Sequence, residues 1–213
     1  MTRKIVAVLI TFVAVFLLTS CAVTPDGLLL TKAGSFGLFS GVKDADLISV
    51  THQAADSMIK SVKESDGEDV SPMLKDTVNS LARGGTVIAA SFVNIDNLEE
   101  SSSFGRIVSR QLATQFSAHG YHVIELLLRK NVYIESKSGE FLLSRELSNI
   151  GAEYNAHALL VGTYAVGSKS VYVTARLVDA KSSIVITSSD FDVPLGPNTQ
   201  TLISSKIVEG SSS

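Results

Sequence analysis

The reactive side chains of this 213-residue chain are few: one cysteine, Cys21, and four histidines. A single thiol cannot close an intrachain disulfide or build a cysteine-clustered zinc site. It can act as a nucleophile or carry an acyl group. His119 and His122 flank a helix-to-strand turn. Their spacing differs from the i, i+4 pair with which a helix presents two imidazoles to zinc, so they read as surface or capping residues. His157 opens a strand and has no sequence neighbour that would make it a base. Asp190 and Asp192 are a carboxylate pair of the type used in acid–base catalysis. They alternate with Phe191 and Val193, however, and read as the wetted side of a half-exposed strand. Glu99 and Glu100 fall in a loop. Gly162 and Gly167 are followed by Ser168-Lys169, the wrong order for a phosphate-cradling loop, so Gly162 reads as close packing in a central strand. Neither G-x-G-x-x-G nor G-x-S-x-G occurs. No nucleophile, base and orienter come together, so no enzymatic activity, cofactor, metal or small-molecule substrate is expected.

Composition narrows the classes further. The chain is 45% hydrophobic, enough for a real core, and its net charge is −3. An acidic balance without a basic stripe argues against nucleic-acid binding.

Cys21 gains meaning from what precedes it. Arg3 and Lys4 form a positive start, and Ile5–Leu18 is an uncharged apolar run of 14 residues. A membrane-spanning helix needs roughly 20 residues, so this run fits the core of an export signal. It ends in Leu18-Thr19-Ser20-Cys21, which resembles a bacterial lipobox. The expectation is cleavage between Ser20 and Cys21, acylation of Cys21 with palmitate-type chains, and a membrane anchor. Each buried methylene contributes about 0.8 kcal/mol, so several chains hold a domain essentially permanently. Acylation also removes the only thiol from any catalytic role. Ala22, where sorting analogies place Asp for inner-membrane retention, points to the outer membrane. Removing residues 1–20 takes away two cations and no acid, which moves the net charge from −3 to −5.

The elements behind the signal divide the chain. Residues 21–45, with Pro25 and scattered glycines, read as the lipidated cysteine and a flexible tether. Residues 46–83 read as a helical extension. Leu47, Ile48, Thr51, Ala54, Ala55, Met58, Ile59 and Val62 recur at helical spacing over 46–63, with Asp44 or Asp46 as cap, and a shorter helix runs from Pro72 to Ala82. Residues 84–197 read as an α/β domain. Its strands are expected at Thr86–Val93, Tyr121–Leu128, His157–Val166, Ser170–Val178 and Ile184–Val193, with a short extension at Val132–Glu135. Helices are expected at Phe104–His119 and Phe141–Tyr154. The predicted fold is a mixed α+β sheet in the order β-α-β-α-β-β-β. Its first strands are parallel, its last two form a hairpin, and helices lie mainly on one face. Residues 198–213 read as a polar tail in which Leu202, Ile203, Ile207 and Val208 allow one short helix.

Several segments in this order carry a family resemblance. They are Ser91-Phe92-Val93-Asn94-Ile95-Asp96, Phe104-Gly105-Arg106-Ile107-Val108-Ser109-Arg110-Gln111-Leu112, Gly120-Tyr121-His122-Val123-Ile124-Glu125 and Gly139-Glu140-Phe141-Leu142-Leu143-Ser144-Arg145-Glu146-Leu147. Ala158-Leu159-Leu160-Val161-Gly162-Thr163-Tyr164 and Val171-Tyr172-Val173-Thr174-Ala175-Arg176-Leu177-Val178-Asp179-Ala180 complete the set. Thr86–Pro194 resembles the FlgO-type flagellar outer-membrane lipoproteins. The resemblance implies a protein held in the outer membrane through acylated Cys21, facing the periplasm. Such a protein supports flagellar assembly, stability or motility by contacts with basal-body or sheath-associated proteins. Arg106 and Arg110 on a helix face and Arg176 on a strand face are candidate contacts, because exposed Arg is favoured at interfaces. Two alternatives stand beside this reading. One is an activator of a peptidoglycan synthase, which needs a long tether. The other is a subunit of a curli-exporter-like secretion pore, which needs amphipathic membrane hairpins.

Overall fold

The computed structural model describes residues 41–65, 70–98, 101–126, 133–135, 141–143 and 145–205. These form helices α1 (Leu47–Glu64), α2 (Lys75–Ala82), α3 (Ser103–Ala118), α4 (Arg145–Glu153) and α5 (Pro197–Ser204). The strands are β1 (Thr86–Ala90), β2 (Val93–Asn94), β3 (His122–Leu126), β4 (Tyr133–Glu135), β5 (Phe141–Leu143), β6 (Ala158–Val166), β7 (Ser170–Asp179) and β8 (Val185–Pro194). A six-stranded mixed sheet runs β3-β1-β6-β7-β8, with β2 also against β6. β1 is parallel to β3 and β6, while β6, β7 and β8 are successively antiparallel. This is the predicted mixed α/β class.

Two expectations change. The run Thr86–Val93 is not one strand, because β1 and β2 flank a break at Ser91 and Phe92. Ala89 pairs with Leu160 and Val93 with Thr163, so four steps on one side face three on β6. One extra residue is a β-bulge, which bends the strand and re-aims a side chain. Phe141–Leu143 is also not the start of a helix. It pairs antiparallel with Tyr133–Glu135 in a separate small sheet, and α4 begins only at Arg145. Strand pairing there overrides the local helical spacing.

The bulge has an identifiable cause. A Cβ at Gly162 would land inside the ring of Phe92, so this glycine makes the space that the re-aimed ring occupies. A Cβ at Gly105 would strike the Phe92 carbonyl, and the Phe92 amide donates to the Gly105 carbonyl at 3.2 Å. The first turn of α3 therefore lies directly on the bulge. Ser102 caps that helix, its hydroxyl accepting from the Gly105 amide at 3.2 Å and from the Tyr164 hydroxyl at 2.8 Å. Phe104 meets Tyr164 edge to face, and Ser109 donates to the Ala90 carbonyl at 2.7 Å. One strand break, two glycines and one helix N-terminus interlock.

The sheet buries both faces unequally. One face carries Ala89, Leu160, Tyr164, Val173, Ala175 and Leu177 under α1 and α3, which contribute Met58, Ile59, Phe104, Leu112 and Phe116. The other carries Ile88, Leu159, Val161 and Val178 beneath Ile150 of α4 and Ala156. The helices thus lie mainly on one face, as the spacing implied. Helix ends follow local chemistry. Asp46 caps α1 through the Ser49 amide, and α3 stops at Gly120, whose φ of +90° suits a residue without a Cβ.

Gly162→Ala is expected to lower stability by about 1–3 kcal/mol through overpacking, and Phe92→Ala by about 3–5 kcal/mol. In the double variant the colliding ring is gone, so the loss is expected to fall short of the sum. Additive losses in urea titrations would contradict the interlock.

Candidate interaction surface

The predicted site residues do not converge. Ser20 and Cys21 lie outside the described residues. Arg106 sits half-buried on α3 and donates to the Ser103 hydroxyl at 3.0 Å. Arg110, one turn on, is exposed and pairs with Glu125 of β3 at 3.4 Å. Both partners are about half solvated, so the pair contributes roughly 0–1 kcal/mol. Arg176 belongs to the opposite side of the sheet. Its β7 neighbours Ala175 and Leu177 point into the core beneath α1 and α3, so Arg176 itself faces away from them. The three arginines form two separate surfaces, because a strand's alternate side chains leave on opposite faces.

Two of the histidines take structural roles, while His122 is exposed at the start of β3. His157 Nδ1 accepts from the Thr86 amide at 3.0 Å and clasps the entry to β1. His119 ends α3 and lies 2.9 Å from Asp56 of α1, which also accepts from Gln115 at 2.7 Å. The Gln115 hydrogen bond, helped by His119, holds the Asp56 carboxyl below its ordinary range against a smaller opposing effect of desolvation. No group of three or more His, Cys, Asp or Glu side chains able to hold a metal occurs among the described residues. No described helix is long and apolar enough to cross a membrane.

Two carboxylates fasten distant segments, and of the two cap candidates for α1 only Asp46 takes that place. Asp44 accepts from the amides of Asn198 and Thr199 at 3.1 and 3.2 Å, so it caps α5 from the other end of the chain. Asp179 is buried at the β7–β8 turn. It accepts from Thr77 of α2 at 2.6 Å, and from the amide and hydroxyl of Ser182, both at 2.6 Å. Burial pushes its carboxyl up, but the hydrogen bonds from Ser182, Thr77 and the Lys181 amide outweigh burial and hold it below the ordinary value. The Asp-x-x-Ser turn was legible as a hairpin signal. The reach to Thr77 was not, since 102 residues separate the two. Tyr121 is buried with a hydroxyl that finds no partner among the described residues, and burial raises its pKa.

What remains is one half of one sheet face. α4 covers the Leu159–Val178 half. Beyond it and past the buried Val161, cross-strand rows run Arg176–Ser188, Thr163–Thr174–Asp190 and Ala165–Tyr172–Asp192. Tyr172 is 61% exposed, and Ser188, Asp190 and Asp192 are exposed. Arg176, Asp190 and Asp192 make no ion pair among the described residues. The predicted wetted Asp face is therefore real, and it is continuous with Arg176.

A mixed α/β domain with this partly open sheet defines the structural class. The chain belongs to the FlgO family: the family model, described as FlgO protein, matches residues 52–198. Curated proteins give no significant match. Solved structures with a loose likeness include the C-terminal domain of LpoB from Salmonella enterica, at 10% identity and TM-score 0.42, covering 67% of this chain and 96% of that one. Lipoprotein GNA1162 from Neisseria meningitidis matches at 15% identity and TM-score 0.36, over 54% of this chain and 83% of that one. A PelC dodecamer from Paraburkholderia phytofirmans matches at 18% identity and TM-score 0.35, over 54% and 73% respectively.

Two outcomes follow from the buried polar groups. Asp179 has a depressed folded-state pKa, so its contribution is complete above the unfolded value near ~3.9 and is lost as pH falls below it. Thermal melts of the wild type are expected to fall between about pH 5 and 3 more steeply than those of Asp179→Asn, which starts lower by about 1–3 kcal/mol. Parallel pH profiles would remove Asp179 from this role. Tyr121→Phe deletes an unsatisfied hydroxyl and is expected to leave stability unchanged or raise it by up to about 1 kcal/mol; a loss above that would mean the hydroxyl has a partner.

Proposed function

We propose that this protein is an outer-membrane lipoprotein, anchored through acylated Cys21 and facing the periplasm, that supports flagellar assembly, stability or motility through protein–protein contacts. The match of the FlgO family model over residues 52–198 carries this reading. The coarser part, an envelope-associated lipoprotein, rests on that membership. The signal-like run ending in Leu18-Thr19-Ser20-Cys21 supports the anchor, and Ala22 supports the outer membrane. The role is mechanical or adaptor-like rather than catalytic. In support, His119, His157 and the pKa-shifted carboxylates Asp56 and Asp179 are engaged in fastening elements together.

The position of Asp44 bears on the first alternative. It already belongs to the domain, so the anchor and domain are separated by residues 22–40, which reach at most about 65 Å at roughly 3.4 Å per residue. That length disfavours an activator working across the whole periplasm. A pore-forming hairpin is disfavoured by β7, whose Val171, Val173, Ala175 and Leu177 are committed to the domain core.

A clean deletion strain complemented with wild type or Cys21→Ala tests the reading. Soft-agar spread is expected to fall at least twofold on deletion and to recover only with wild type, while Cys21→Ala leaves the membrane fraction. Normal swimming and filaments in the deletion strain would overturn the flagellar role.

A further inference from the structure

We infer that the half of the sheet face that no described helix covers is the pairing surface for a second copy of this chain. The face holds charges of both signs that no described residue neutralises: Arg176 on β7, and Asp190 and Asp192 on β8. Asp190 pairs in register with Thr174, two residues along β7 from Arg176. Adjacent strands lie about 4.8 Å apart and two residues rise about 6.8 Å, so the Cα atoms of Arg176 and Asp190 are roughly 8 Å apart on the diagonal. A patch carrying separated opposite charges is complementary to itself. A two-fold axis lying between two such faces, across the Arg176–Asp190 diagonal, sets each Arg176 over the partner's Asp190 and repeats the contact in reverse. Closed pairing of this kind is the isologous geometry of most homodimers. Thr174 and Ser188, in neighbouring rows, then flank the axis, and Tyr172 contributes apolar surface at the edge.

The size of the patch sets its strength. Three strands and three rows offer on the order of 300–400 Å² per copy, below the about 800 Å² of a standard interface. Such a contact is weak in dilute solution. It becomes effective when tethering raises the local concentration, as a shared membrane surface does. The inference does not depend on the flagellar reading.

The test uses the full-length chain expressed in its own cells. Thr174→Cys, or Ser188→Cys as an independent reporter, is treated with a short bis-maleimide able to span the roughly 10 Å between packed sheets. The expected product is a homodimer, which Arg110→Cys on the other side of the domain does not give. Adding Arg176→Asp is expected to reduce the dimer at least fivefold, and adding Asp190→Arg with Asp192→Arg to do the same. Co-expressing the two charge-reversed chains with different tags is expected to restore a mixed dimer, since both ion-pair sets are then opposite in sign. Dimer yield indifferent to charge reversal would overturn the inference. So would the absence of homodimer from both reporters at wild-type protein levels, or their linkage only to a different polypeptide.

Discussion

A ring that must fit where a side chain is missing governs this fold. Phe92 occupies the space above Gly162, and the bulge that aims it there places its carbonyl against Gly105. The two parallel strand pairings, the cap of α3 and the edge contact of Phe104 with Tyr164 all depend on that arrangement. Interiors are packed to crystal-like density, so such a joint has one solution and the elements around it share it. α3 is thereby held to the sheet at its first turn, and α1 packs against both.

With α1 and α3 on one face, the opposite face is left to α4, a helix of 9 residues. It covers the half near Ile150 and Ala156 and leaves the rows through Thr174 open. Several polar side chains join elements: His157 to β1, Asp56 to α3, Asp179 to α2 and Asp44 to α5. Arg176, Asp190 and Asp192, which make no ion pair among the described residues, lie on the open half-face.

Much of this was legible in the sequence, for a physical reason. Helix spacing located α1 and α3 to within a residue or two, because each buries one continuous stripe. The alternation through Asp190 and Asp192 marked the wetted side of β8 for the same reason. The break at Phe92 was hidden, since Thr86–Val93 is uniformly apolar and the glycine that demands the break is 70 residues away. Phe141–Leu143 was misread because three apolar residues fit either period, and only the pairing with Tyr133–Glu135 decides. The three arginines were separated by the alternation of β7, which a list of exposed-looking cations cannot convey. The cap that Asp44 supplies to α5 spans 154 residues and leaves no local pattern.

Native-state hydrogen exchange tests the interlock most directly, because the Phe92 and Gly105 amides are its own bonds. Both are expected to exchange only through global unfolding, with the same free energy and denaturant dependence as the central amides of β6. Exchange of Phe92 and Gly105 through a smaller opening, well below the global unfolding free energy, would contradict the claim that the rest of the fold is built on this joint.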